Sequence, residues 1–211
     1  LQDSSLDAQL AKELLSAQGK SRLLLIDLAR RRHTVAATQA LWQAAEDDDI
    51  AVPAAALTSL GTLIDADALP KLIARLGDTA SGQEATALDQ AIRDLCRRSE
   101  DPQQAAGQLA AELPKSDASV QARILDTLKI IGGPTSLQAV ANAAAQSDDE
   151  SLRDGAFRVM GQWQSTDVAP VLLKLLQDVN DQRLKVRAIR AYIRIARTLS
   201  RWSFTSWSNF N

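Results

Sequence analysis

The feature that most constrains this chain is a helical stripe that returns every 31 to 35 residues. Leu57, Leu60 and Leu63, with Ile64, are spaced to share one face of a helix. Leu125, Leu128 and Ile131 repeat that spacing 68 residues on, which is two units of 34. Ile92 and Leu95 fall between the two sets. Leu25 and Leu28 precede them, Met160 and Trp163 follow, and Ile193 closes the series. Six first helices are therefore expected, centred near Leu28, Leu60, Leu95, Leu128, Met160 and Ile193.

Each stripe is followed by a break and then a second helix. The breaks read Asp65-Ala66-Asp67, Ser99-Glu100-Asp101-Pro102, Gly132-Gly133-Pro134-Thr135 and Ser165-Thr166-Asp167. These are capping and turn residues, with proline near the first helical turn where its missing N–H costs nothing. Second-helix stripes follow at Leu69, Leu72, Ile73 and Leu76, at Leu137, Val140, Ala141 and Ala144, and at Val171, Leu172, Leu175 and Leu176. Gly61, Asp67, Pro70 and Leu72 also match Gly161, Asp167, Pro170 and Leu172 at a constant offset of 100 residues. An up-down bundle also produces stripes, but it does not require its turn chemistry to recur in register. The expectation is an all-α superhelix, a solenoid of about five and a half helix pairs in which each pair buries its faces against its neighbours. It is expected to be one domain over 1–200, with 1–19 as an N-terminal cap or half-repeat.

Composition agrees. Apolar residues are 45% and aromatics 4% of the chain. Alanine and leucine, both strong helix formers, dominate the apolar set. The formal net charge of −2 demands no polyanionic partner. No apolar run approaches the ~18 residues of a membrane-spanning helix, and no signal peptide is visible, so the compartment stays open.

The residues around the first complete pair resemble a known pattern. Ala56-Leu57-Thr58-Ser59-Leu60-Gly61-Thr62-Leu63, then Ala68-Leu69-Pro70-Lys71-Leu72 and Leu76-Gly77-Asp78, are similar to HEAT repeats. The likeness is to the shorter bacterial kind grouped with phycobilin-lyase-type HEAT proteins. Residues 149–176 form a second copy, with Leu152-Arg153-Asp154 at the family's Val-Arg position, and Lys185-Val186-Arg187-Ala188 opens a third. The unit over 82–114 departs from the pattern, carrying Cys96 where the central glycine belongs. The resemblance implies a non-catalytic scaffold that binds a protein or peptide on a concave face lined by second helices. It also implies a module of a larger multidomain chain.

Few residues suggest chemistry. His33, the single histidine, follows Arg30-Arg31-Arg32 and reads as an exposed helix-end residue. Cys96, the single cysteine, lies on a striped helix and reads as a buried, inert thiol. One of each makes no zinc site. The acidic runs Glu46-Asp47-Asp48-Asp49 and Asp148-Asp149-Glu150 precede helices, where carboxylates serve as caps, and they lack the ligand spacing of a calcium loop. No catalytic residue, metal or cofactor is expected. A lyase or glycosylase on this fold would need polar residues clustered on one face, and none stands out.

The last helix offers the candidate site. Arg183, Arg187, Arg190, Arg194, Arg197 and Arg201 are spaced 4, 3, 4, 3, 4, and no acid lies between Gln182 and Arg201. One face is thus a possible anion-binding stripe, for nucleic acid, another polyanion or an acidic partner. The alternative is a solvated outer stripe. Val186, Ile189, Ile193 and Ala196 are expected to form the buried face opposite. Beyond it, Trp202, Phe204, Trp207 and Phe210 alternate with polar residues in a segment, 201–211, that fits no helical stripe. It is expected to be truncated or non-native.

Overall fold

The computed structural model describes residues 4–79, 82–178 and 182–208. These form α-helices joined by short turns, with no strand among them. In chain order the helices are α1 (Ser4–Ser16), α2 (Gly19–Arg32), α3 (Thr38–Ala44), α4 (Ala51–Leu63), α5 (Leu69–Asp78), α6 (Gly82–Arg98), α7 (Pro102–Glu112), α8 (Ala118–Ile131), α9 (Gly133–Gln146), α10 (Glu150–Met160), α11 (Val168–Asp178) and α12 (Gln182–Ser208). After α1, the helices alternate as first and second members of pairs, and α12 stands in a first-helix position. By its internal contacts the chain divides into two compact units, 1–108 and 109–211, the division falling within α7.

The pairs stack by one rule in both units. First helices pack on first helices: α2 on α4 and α4 on α6 in one unit, α8 on α10 and α10 on α12 in the other. Within each unit second helices also pack on the following first helix, α3 on α4, α5 on α6, α9 on α10 and α11 on α12. The fold is an all-α solenoid whose contacts run between sequence neighbours, as an array of units too small to bury their own faces requires. At the beginning of the chain, α1 packs on α2, α3 and the 3-10 turn Val35–Ala37, which caps the first pair.

The turn chemistry acts as its residue types dictate. Asp117 is the N-cap of α8, accepting from the backbone N–H groups of Ser119 at 2.8 Å and Val120 at 3.0 Å. Asp149 caps α10 through Ser151 and Leu152 in the same way, and Asp101 serves α7 through Gln103 and Gln104. Gly132 ends α8 at φ 67°, a left-handed conformation that glycine reaches without strain. Proline stands in the first turn of α5 and of α9.

The core is a ladder of the expected stripes. Leu57, Leu60, Leu95, Leu125, Leu128 and Met160 are all buried, as are Leu69, Leu72, Leu137 and Val140 on second helices. Two expected centres are not. Leu28 is 43% exposed, and the buried face of α2 is Ile26 and Ala29 instead. Ile193 is 45% exposed, and the buried face of α12 runs through Leu184, Ala188, Ala191 and Ile195. The true register from α10 to α12 is thirty-two residues. It carries Leu152, Ala156, Val159 and Trp163 onto that face, so Met160 corresponds to Tyr192 and not to Ile193. The last helix also does not stop near residue 200, because its backbone continues to Ser208.

Candidate functional site

The residues singled out as possible chemistry lie apart from one another. His33 sits just past α2 in the left-handed conformation, φ 52°. Its N–H donates to the Arg30 carbonyl and the following Thr34 N–H to that of Ala29, a pair of bonds that closes the helix. Its role there is to turn the chain. Cys96 is buried on α6, and burial pushes its thiol up to about 12. A thiol held neutral is a poor nucleophile. Among the described residues no three His, Cys, Asp or Glu side chains are grouped to hold a metal ion, and no helix is long and apolar enough to cross a membrane. The acidic run before α4 is engaged locally. Asp47 accepts from the backbone N–H of Asp49 and pairs with Arg22, and these bonds hold its carboxyl below the usual range. Asp49 accepts from the N–H of Ala51.

The arginine row of α12 divides. Arg187 turns toward α10, where it pairs with Asp154 and donates to Glu150 at 2.9 Å. That guanidinium holds the Glu150 carboxyl below its ordinary value. Arg183, Arg190, Arg194 and Arg197 are exposed, and the Arg201 side chain lies outside the described ones. The face expected to be buried opposite them is exposed as well: Val186 is 39%, Ile189 45% and Ile193 45% accessible. The reason is positional. A first helix inside the stack has two packed faces, one toward the preceding pair and one toward the following helix. On α12 the first is occupied by α10 and α11, and the second carries this apolar stripe. The side chains of Trp202, Phe204 and Trp207 lie outside the described residues, as does Phe210 entirely.

A second surface lies on the second-helix side of residues 109–211. A cavity of about 560 Å³ opens between Leu113 and Pro114 on one wall and α9 on the other, where Ala139, Asn142, Ala143 and Gln146 face it. Its apolar lining joins Leu113, Pro114 and Leu152 to alanines that periodicity alone reads as ordinary helix formers. Nothing in the spacing of those residues marks a recess, since it arises from the gap between the end of α7 and α9.

Sequence reasoning also missed two arginine clamps. Arg75 on α5 donates to Glu84 of α6 at 2.8 Å and reaches back to Glu46 and the Ala45 carbonyl after α3. Arg98 on α6 donates to the carbonyls of Gly61 at 3.2 Å and Ile64 at 2.6 Å, at the C-terminal end of α4 where positive charge is favoured. Both side chains stitch neighbouring pairs. Their partners are 9 to 37 residues away, beyond the reach of a helical-spacing argument.

No curated protein matches the chain in sequence. Residues 107–193 match the family model of HEAT repeats, and the helix pairs of that stretch stack as such repeats require.

Proposed function

We propose that this chain is a non-catalytic interaction scaffold that holds a protein or peptide segment on the second-helix side of residues 109–211. The observation that carries this reading is the recess beside α9. It is large enough for a bulky side chain, its lining is more apolar than polar, and Asn142 and Gln146 stand exposed at it, with Asp148 and Asp149 also at its wall. A carboxamide offers both donors and an acceptor, the combination a peptide backbone needs. The HEAT-repeat match over the same stretch supports the reading, because such arrays commonly serve protein recognition.

The test is selection from a displayed random-peptide library against the intact chain and against Ala143→Arg, which fills the recess with charge. Enriched peptides are expected to lose at least about tenfold in affinity on the variant, a change of ~1.4 kcal/mol. Peptides that bind both forms alike, or no enrichment at all, would refute the assignment. A second reading, nucleic-acid or other polyanion binding along Arg183, Arg190, Arg194 and Arg197, has in its favour the lack of any acid on α12. It predicts affinity that falls steeply with salt.

A further inference from the structure

The recess beside α9 holds a polar atom that the chain itself does not satisfy. Gln121 of α8 lines it and is only 7% accessible. The Gln121 Oε1 is buried, and no donor among the described residues reaches it. A buried carbonyl oxygen left unmatched is costly, so the position calls for a donor. Gln121 also borders a smaller hollow between α8 and α10, but the charges there are already matched, Asp154 with Arg187 and Arg158 with Asp126.

The repeat explains why the oxygen is unmatched. The capping aspartates Asp117 and Asp149 are thirty-two residues apart, and the same step carries Gln121 onto Arg153 of α10. There the longer side chain donates to the Ser147 carbonyl at 2.6 Å. Gln121 ends in a carboxamide where the next pair has a guanidinium. The recess is also interior to the stack, because α9 and α10 pack on α8 before them and on α11 and α12 after them.

The rest of the lining selects the donor. Its charged side chains are Asp148 and Asp149, with no basic one among the described residues. Asp149 is engaged as the N-cap of α10, whereas Asp148 is exposed and has no ion-pair partner among the described residues. Ala143 and Gln146 belong to the last turn of α9, whose carbonyls carry partial negative charge. The cations that adjoin the lining in sequence are taken, Lys115 by Glu112 and Arg153 by the Ser147 carbonyl. Leu113, Pro114 and Ala139 offer apolar surface to a hydrocarbon stem. Arginine answers all of these. Its planar head carries several N–H donors, enough for a carbonyl oxygen and a carboxylate together, and it is more weakly hydrated than the ammonium of lysine.

We infer that the recess receives an arginine side chain of a partner segment, the guanidinium donating to Gln121 Oε1 and pairing with Asp148. This rests on the proposed reading of the recess as a peptide site and names the residue that fills it.

The test takes the peptides that a displayed random library yields on the intact chain and keeps those lost on Ala143→Leu, which narrows the recess without adding charge. Arginine is expected at one fixed position of these peptides. In the tightest of them, replacing that arginine by citrulline, which keeps the shape and loses the charge, should weaken binding about tenfold. Asp148→Asn and Gln121→Leu should each weaken the arginine peptide about tenfold as well. Asp148→Asn should not weaken the citrulline peptide further, the mark of a direct charge pair. Gln121→Leu removes an unmatched oxygen, so its unfolding midpoint should hold or rise, and the exposed Asp148→Asn should keep the parent midpoint. Arginine binding indifferent to both variants overturns the inference. Recess-dependent peptides without a fixed arginine also overturn it, and leave the recess reading standing. No recess-dependent peptide at all overturns both. A second copy of the chain, or a flanking segment of a longer chain, that blocks the peptide and is released by Asp148→Asn would make the donor the protein's own and overturn the assignment to a partner.

Discussion

A Cβ added to Gly61 of α4 would stand 2.8 Å from the Cβ of Ala91 on α6. The same pair recurs a hundred residues later, as Gly161 against Ala191. Glycine in a helix interior costs about 1 kcal/mol relative to alanine, so its use at Gly61, inside α4, needs a gain elsewhere, whereas Gly161 stands at the C-cap of α10. The gain is close approach of successive first helices.

Gly61→Ala is therefore expected to destabilise the protein despite its better helix propensity, by about 1–3 kcal/mol as over-packing requires. Gly161→Ala meets its nearest neighbour only at 3.3 Å and should change stability by less than about 1 kcal/mol. Urea unfolding of the two variants beside the parent checks the order. Equal effects would show that the two approaches are equally tight.

Asp117 caps α8 through two backbone N–H groups, and these bonds, with one from the Ser119 hydroxyl, hold its carboxyl below the usual range. A lowered carboxylate contributes stability that is complete above its ordinary value and is lost as pH falls through the lowered one. Asp117→Ala should cost about 1 kcal/mol at neutral pH. Asp117→Asn should retain most of the cap while removing this acid dependence. Unfolding midpoints at pH 7 and pH 3 separate the two variants.

Arg187 is the largest cause of the low value of Glu150. Arg187→Ala should let the Glu150 carboxyl rise toward its ordinary range, seen as a shifted midpoint when its side-chain carbon resonance is followed by NMR. The ion pair should contribute fully above that range and vanish as pH falls through the lowered value. Both carboxylates are exposed, so high salt should weaken the effect. A midpoint unchanged by the substitution would place the cause elsewhere.

Cys96, buried and pushed up to about 12, should resist thiol reagents in the folded protein even at pH 9. It should react at once in denaturant. Native labelling that speeds up between pH 7 and pH 9 would mean that the thiol is accessible as thiolate.

Much of the fold was legible in the chain itself. The buried leucines of α4, α5, α6 and α8 lie where three- and four-residue spacing placed them. The capping aspartates 101, 117 and 149 begin the helices they precede. Cys96 and His33 were also readable, since a cysteine on a striped helix is buried and a residue after three helix-end arginines is exposed. The recess beside α9 was not readable, because alanines look alike whether they line a gap or fill one.

The outcome at α12 shows the division. Periodicity determined that Gln182 onward is a helix with an arginine row and an apolar stripe, and local propensity needs nothing more. It could not say which apolar stripe is buried. Val186, Ile189 and Ile193 share one spacing, and Leu184, Ala188, Ala191 and Ile195 share the same kind of spacing on the nearly opposite side of the helix. A first helix within the stack buries both such faces, whereas α12 has helices packed on one. Only the tertiary arrangement decided between them, because burial depends on which neighbours a helix meets and not on the order of its own residues.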